Sequence, residues 1–485
     1  MSTTAKVSAR QRIESLLDEN SFVEIGALVR ARNTDFNMQT KETPADGVIT
    51  GYGVIEGNLV YVYSQDASVL GGSVGEMHAK KIASLYDKAM KMGAPVIGLI
   101  DSTGLRLQEA TDGLNAFGEI YLKQSLASGV IPQISAVFGN CGGGLSVIPA
   151  LSDFTFMESE KAQLFVNSPN AIEGNRKEVC DTAGAKFQSE EAGLVDFTGT
   201  ETEVLAQIRE LVAMLPSNNE EEVLADECAD DLNRACAGIE TCVEDTTLAV
   251  YNISDNNKVV EVKKAYASEM LTAFIQLDGA TVGVVANRTK IYDEEMNVVA
   301  EFEDKLTAKG SEKAAEFIEF CDAFNIPVLT LTNTTGFSAC CKCAEKKIAK
   351  ATAKLVYAYA NATVPKVNVV IGNAYGSAYV AMGSKALGTD IVYAWPTAKI
   401  AMMDAKSAVQ IMYADEITSS EDVTAVINEK TSEYTNIQSS VDAAAAHGYV
   451  DSIIEPVDTR KYLIGAFEML DTKREERPYK KHGTV

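Results

Sequence analysis

Two stretches of this 485-residue chain are near-copies of each other. GAPVIGLIDSTG around Pro95 is answered by NIPVLTLTNTTG around Pro327, and GVIPQISAVFGNCGGG is answered by ATVPKVNVVIGNAYGSA. The register holds over both landmarks: Gly336 minus Gly104 is 232, Pro365 minus Pro132 is 233, and Gly372 minus Gly139 is 233. Two copies of one long unit in register imply two like domains rather than one large one. Each copy carries a glycine-rich turn to the same place after a buried strand. Two such turns present two sets of backbone N–H donors, which is what a reaction with two separate oxyanions needs.

The length suffices for two well-cored domains. With 46% apolar and 23% charged residues the chain has ordinary soluble globular composition. No apolar run approaches the roughly 18 residues that span a bilayer. The opening MSTTAKVSARQRIESLL reads as an amphipathic helical start rather than a signal peptide. The chain is therefore read as cytoplasmic, without membrane insertion. Its net charge is −25, from 43 basic and 68 acidic residues, with no basic stripe. That argues against nucleic acid as a partner but leaves room for a small anionic ligand held by a few cations or a helix start. Nine cysteines in such a chain imply no disulfide framework. Cys340, Cys341 and Cys343 cluster without a second ligand pair, and there are only three histidines (His78, His447, His482), so no metal site is expected.

Apolar runs such as PVIGLID, PQISAVFG, PVLTLTN and KVNVVIG alternate with amphipathic stretches such as HAKKIASLYDKAMKM and EKKIAKATAKLVYAYA. That alternation predicts an α/β architecture with crossover helices. The acidic, weakly periodic segment from Pro216 to Thr247 reads as an inter-domain linker with some helix, which places the boundary near residue 245. The expected domains are 1–245 and 246–485. Each half runs in one order: a short β-meander, a helix, a strand, a glycine turn, a helix, then a strand and the glycine-rich turn.

The ordered segments resemble the carboxyltransferase subunits of biotin-dependent acyl-CoA carboxylases, transcarboxylases and decarboxylases. They are ARQRIESLLDENSFVEI, SQDASVLGGSVGEMHAKKI, GAPVIGLIDSTGLRLQEATDGL, GVIPQISAVFGNCGGGLSVIPALSDFTFM, FIEFCDAFNIPVLTLTNTTGF, KLVYAYANATVPKVNVVIGNAYGSAYVAMGSKALGTDIVYAWPTAKIAMM and KREERPYKKHG. The resemblance implies two tandem crotonase-like ββα-superhelix domains, the first for the CoA thioester and the second for carboxybiotin. It implies carboxyl transfer between biotin on a separate carrier protein and the α-carbon of a short-chain acyl-CoA of the methylmalonyl-CoA or propionyl-CoA type. It also implies a homo-oligomer, commonly a trimer of dimers, and a further partner: a biotin carboxylase, or the membrane subunit of a sodium-pumping decarboxylase. Biotin N1′ takes the α-proton in such enzymes, so no side-chain base is required.

By the same resemblance Gly143 and Gly144 in NCGGGLS form one oxyanion hole, and Gly376, Ser377 and Ala378 in AYGSAYV form the other. Glycines at such turns also serve tight strand-to-helix packing alone. Tyr375 and Val380 flank the second turn on the biotin side. The chain departs from the family at several points. Ser377 replaces a usual glycine and narrows the biotin pocket, and Val380 stands where short-chain carboxylases often carry aspartate. Thr103 and Leu105 of DSTGLR add bulk at the thioester end, and Asn333 of NTTGF replaces a carboxylate. Lys80, Lys81 and Arg106 are candidates for the phosphates or adenine-ribose of CoA, though each equally fits helix-face solvation or an intradomain ion pair. The Ala89–Met92 sequence AMKM matches the biotinylated motif of carrier domains, but it ends an amphipathic helix and is set aside as coincidence. Two alternatives stand beside the carboxyltransferase reading. One is a biotin-independent crotonase-like enzyme on CoA esters, for which Glu109 is the carboxylate at hand. The other is a non-catalytic subunit of a carboxylase assembly.

Overall fold

The computed structural model describes residues 7–32, 36–221, 228, 230–339 and 347–478. The chain separates into two compact units, Met1–Glu222 with Lys263–Tyr266, and Val223–Val262 with Ala267–Val485. The division falls earlier than residue 245. Cys236, Ile239 and Cys242 are buried in the second unit's core, so the expected linker from Asp230 onward is a folded edge of that unit, while residues 216–221 belong to the first.

The first unit begins with helix α1 (Ala9–Leu16), held by a reciprocal capping box between Ser8 and Gln11. Then come β1 (Val23–Ile25), β2 (Val48–Ile55), β3 (Asn58–Gln65), α2 (Glu76–Met92), β4 (Val96–Ser102), α3 (Ala110–Ala127), β5 (Gln133–Gly142) and α4 (Val147–Leu151). Strands β6 (Phe154–Glu158), β7 (Gln163–Phe165) and β8 (Phe197–Gly199) follow. The sheet order is β1-β2-β3-β4-β5-β6-β8, with β7 paired to β5. β1, β2 and β3 are antiparallel, and β3 onward is parallel. Every residue of β4 is buried, as expected for a parallel strand covered on both faces.

The second unit repeats this strand for strand in its main sheet. It has β9 (Val259–Val262), β10 (Met270–Leu277), β11 (Ala280–Asn287), α5 (Ala308–Ala323), β12 (Val328–Thr334), α6 (Ile348–Asn361), β13 (Lys366–Tyr375), α7 (Gly376–Ala381), β14 (Ile391–Ala394), β15 (Lys399–Ala401) and β16 (Ser452–Ile453). The order is β16-β14-β13-β12-β11-β10-β9, with β15 on β13. β12 starts 232 residues after β4 (328 minus 96), and β13 starts 233 after β5 (366 minus 133). The sequence repeat is thus a repeat of topology.

The copies share an irregularity that aims their turns. Pairing of β4 with β5 jumps from Ile100–Val137 to Ser102–Cys141, and pairing of β12 with β13 jumps from Thr332–Val370 to Thr334–Ala374. In each gap a polar side chain fills the splay opposite a glycine. A Cβ on Gly139 would lie 2.0 Å from Asp101 Oδ1, and one on Gly372 would lie 2.5 Å from Asn333 Oδ1. The repeated glycine is required because the neighbouring strand's side chain occupies its place.

What faces that side chain explains the change from Asp101 to Asn333. Arg12 Nη1 stands 3.3 Å from Asp101 in the first unit. In the second, Asn333 Oδ1 accepts the Asn373 N–H at 3.0 Å while its Nδ2 donates to the Val243 carbonyl at 3.4 Å. A carboxylate cannot make that donation. Asn333→Asp is expected to lower stability by about 1–3 kcal/mol, because it turns a buried acceptor toward a carbonyl; urea unfolding of the variant against wild type checks this.

A second repeated device diverges in its charge. Asp153 accepts the Gln133 N–H at 2.7 Å, as Asp390 accepts the Lys366 N–H at 2.8 Å. Lys473 Nζ lies 2.8 Å from Asp390. Asp153 instead has Asp196 nearby, and burial together with that like charge lifts its pKa to about 7. An acid whose pKa is higher folded than unfolded binds more protons in the native state, so stability falls as pH rises from its ordinary 3.8 through about 7. Asp153→Asn keeps the acceptor and removes the titration. Its thermal midpoint should gain on wild type across that window, and calorimetry at pH 5 and pH 8 reads the difference.

Candidate active site

In the first unit β5 ends at Gly142 and the chain bends at Gly143, whose φ is +64°. That left-handed backbone favours glycine. A tight turn over Gly143–Ser146 then leads into α4. A Cβ on Gly142 would meet the Phe165 ring at 2.8 Å, so β7 also requires glycine there. The leading N–H groups of a helical turn have no acceptor within it, and among the described residues Gly142 supplies no side-chain cap. Ser146 Oγ donates to the Gly143 carbonyl at 2.7 Å, and the Tyr121 hydroxyl donates to the Gly144 carbonyl.

A cavity of about 830 Å³ opens beside this turn. Its floor is Gly142, Gly143 and Gly144, and its walls come from the Ser102–Leu105 loop, Phe165, and the α3 side chains Leu114, Phe117 and Tyr121. Thr103 and Leu105 do line it. The wall made by α3 was not legible as a site from sequence, although Leu114, Phe117, Gly118 and Tyr121 recur at helical spacing.

The second unit builds the same bend. β13 ends at Tyr375, Gly376 has φ +60°, and α7 starts at once. The N–H groups of Gly376, Ser377 and Ala378 belong to the first turn of α7, where no intrahelical acceptor exists. Among the described residues no side chain caps them: Tyr375 makes no capping bond, and its hydroxyl donates to Asn373 Oδ1 at 3.2 Å. A helix start left open this way favours negative charge. Ser377 and Val380 are exposed beside it, whereas Ala378 is buried.

The cations proposed for CoA are engaged elsewhere, and none lines the cavity. Arg106 is buried. Its Nη1 lies 2.6 Å from Asp46 and 2.8 Å from Glu109, and its Nη2 donates to the Ser73 carbonyl at 2.7 Å. Lys81 is buried too, donating to the carbonyls of Ala45, at 2.9 Å, and Val48, and burial lowers its pKa to about 8. Lys80 pairs with Glu76 at 2.5 Å on the open face of α2. Arg106 is thus an intradomain ion-pair residue, because a guanidinium spent on two carboxylates and a carbonyl has no face left for phosphate. Glu109 is consumed by the same network, with its Oε2 accepting the Glu76 N–H at 2.6 Å, so it is no free base for CoA-ester chemistry. Ala89–Met92 is the last turn of α2, which stops at Gly93 with φ +63°. The Cys340, Cys341 and Cys343 cluster and the Lys480 and Lys481 tail lie outside the described residues. Among the described residues no helix is long and apolar enough to cross a membrane.

Comparison with known proteins bears on the family and the fold. The carboxyl transferase domain matches residues 3–485. The methylmalonyl-CoA decarboxylase subunit alpha of Propionigenium modestum is 40% identical, covering 99% of this chain and 93% of its own. The carboxyltransferase subunit of propionyl-CoA carboxylase from Haloferax mediterranei is 41% identical, with 99% and 93% covered. A crystal structure of transcarboxylase 12S, solved with methylmalonyl-CoA and methylmalonic acid bound, superposes with TM-score 0.92 at 37% identity over 98% of this chain and 91% of that one. Two crotonase-like units, each ending a parallel strand in an uncapped glycine turn, are thus the fold of an acyl-CoA carboxyltransferase, and the chain belongs to the carboxyl transferase family.

Proposed function

We propose that this chain moves a carboxyl group between biotin on a separate carrier protein and the α-carbon of methylmalonyl-CoA or propionyl-CoA, with the acyl-CoA held by the first unit and biotin by the second. The observation that carries this is the repeated, uncapped glycine turn, with the cavity beside Gly143 and Gly144. When bound, biotin supplies a ureido nitrogen that carries the carboxyl group and accepts the α-proton. The first turn offers the Gly144 N–H to the thioester oxygen as it gains enolate charge. The second offers the Ser377 and Ala378 N–H groups to the ureido oxygen. Fixed dipoles of this kind need no reorganisation as charge develops, and loss of one such donor typically costs ~10²–10³ in rate. Leu114, Phe117 and Phe165 give the cavity apolar walls against which a short acyl group can pack.

Val380 beside the second turn, in place of an aspartate, favours a decarboxylase or transcarboxylase subunit over a carboxylase. The relatives named for methylmalonyl-CoA and propionyl-CoA support the acyl class. Assembly as a trimer of dimers has its support in transcarboxylase 12S, described as a hexamer. The working protein then also needs its carrier, together with a biotin carboxylase or a membrane decarboxylase subunit. Purified, assembled protein mixed with free biotin and methylmalonyl-CoA should form propionyl-CoA, followed by chromatography. Turnover that proceeds equally without biotin would instead favour a biotin-independent CoA enzyme. No turnover with any short acyl-CoA would favour a non-catalytic subunit.

A further inference from the structure

The first turn has a weakness that its neighbours correct. The peptide joining Gly143 to Gly144 is flanked by two glycines, and glycine populates positive and negative φ about equally. The backbone restrains that peptide through the i→i+3 pattern of the Gly143–Ser146 turn, and a rotation that breaks it would replace the Gly144 N–H by the Gly143 carbonyl at the cavity floor. A carbonyl there would repel a developing oxyanion. We infer that Ser146 and Tyr121 are positioning residues that clamp this turn in its donor-forward state, a role that rests on the first turn serving as an oxyanion hole.

The geometry of the clamp follows from planarity. In a trans peptide the C=O and N–H point in opposite directions, so fixing one fixes the other. Ser146 Oγ, in a largely buried side chain, donates to the Gly143 carbonyl at 2.7 Å and so sets the direction of the Gly144 N–H. The next peptide is held from the other side. The Tyr121 hydroxyl and the Val147 N–H both donate to the Gly144 carbonyl. Tyr121 also limits what residue 144 can be, because a Cβ there would lie 3.0 Å from its hydroxyl oxygen. The Tyr121 ring is a cavity wall, tilted against Phe117 at 5.9 Å between centroids, so the hydroxyl is carried by a packed side chain. In the second unit the residue at the Ser146 position is Tyr379 (146 plus 233), and α7 holds its turn by backbone bonds. Only the first turn is glycine at three successive positions, Gly142 to Gly144, and it alone has the hydroxyl pair among the described residues.

The test compares Ser146→Ala, Ser146→Thr and Tyr121→Phe in the assembled protein, reading kcat and KM for methylmalonyl-CoA with free biotin. Loss of one orienting hydrogen bond should lower kcat about five- to tenfold in Ser146→Ala, with KM within about twofold. Ser146→Thr should restore most of it by returning the hydroxyl. Tyr121→Phe should fall less, since its hydroxyl holds the Gly144 carbonyl, one peptide beyond the Gly144 N–H. A purely structural role would lower the melting temperature and the active fraction without this rescue. Crystals of wild type and Ser146→Ala give a second readout that needs no turnover: the Gly143–Gly144 peptide should flip or split between two orientations in the variant. An unflipped peptide together with unchanged kcat in Ser146→Ala overturns the clamp. A flipped peptide in a protein whose wild type is inactive on every acyl-CoA keeps the clamp and overturns the oxyanion reading.

Discussion

Replacing Gly143 by valine should slow carboxyl transfer by ~10²–10³ while leaving the protein folded. The site separates conformational from steric effects. An added Cβ at Gly143 meets nothing within 4 Å, so the root of a side chain has room there. It does face φ of +64°, a region that costs an L-residue roughly 1–2 kcal/mol and a β-branched one more. The turn relieves that strain by moving φ back, which rotates the adjoining peptide and takes the Gly144 N–H off its direction. Against the several kcal/mol or more that stabilise a domain, the strain is survivable, whereas the lost donor acts directly on the barrier. Steady-state kinetics and a melting curve on one preparation give both numbers. Activity within about threefold of wild type would mean that the turn does not stabilise the transition state.

Arg106→Ala should destabilise the first unit by about 3–5 kcal/mol, the usual cost of leaving a buried charge without its partner. Asp46 and Glu109 both depend on this guanidinium, and both carboxylates are fully buried. Their remaining donors are the backbone N–H groups of His78, at 2.8 Å to Asp46, and Glu76, at 2.6 Å to Glu109. Two carboxylates then share a dry site without a hydrogen-bonded cation, because Lys81, though close to Asp46, donates to the carbonyls of Ala45 and Val48. Burial already raises the Asp46 pKa even with Arg106 in place. Replacing all three as Arg106→Met, Asp46→Asn and Glu109→Gln should recover much of the loss, because the uncompensated charge goes with the pair. Denaturant unfolding distinguishes this from a role in CoA binding. A phosphate ligand would leave stability intact and raise KM for the acyl-CoA.

The repeat was readable in the chain because both copies keep the residues that the strand ends demand. Gly139 and Gly372 must admit Asp101 and Asn333, and Gly143 and Gly376 must take positive φ. Such backbone constraints leave letters in a sequence. Burial of charge leaves none: Arg106 and Lys81 look like surface cations until Asp46, 60 positions before Arg106, and the carbonyls of Ala45 and Val48 are seen to enclose them. The boundary was misplaced for a similar reason. The acidic segment after Pro216 looks like linker, yet Cys236, Ile239 and Cys242 are spaced to face a core. The wall of the cavity was hidden by α3 carrying two apolar stripes. Gly113, Ala116, Ile120, Gln124 and Ala127 are buried, while Leu114, Gly118 and Tyr121 face the cavity. A second stripe on one helix is the signal that could have found it.

The central claim is that carboxyl transfer needs both glycine turns, each stabilising one of the two oxyanions that the reaction develops. It is tested most directly by following a labelled carboxyl group from methylmalonyl-CoA to free biotin in the assembled protein, beside Gly143→Val and Gly376→Val. The expected result is label on biotin with wild type and a loss of ~10²-fold or more with either variant, each still folded. Label that reaches biotin undiminished when either turn is altered, or propionyl-CoA formed with no dependence on biotin, would contradict it.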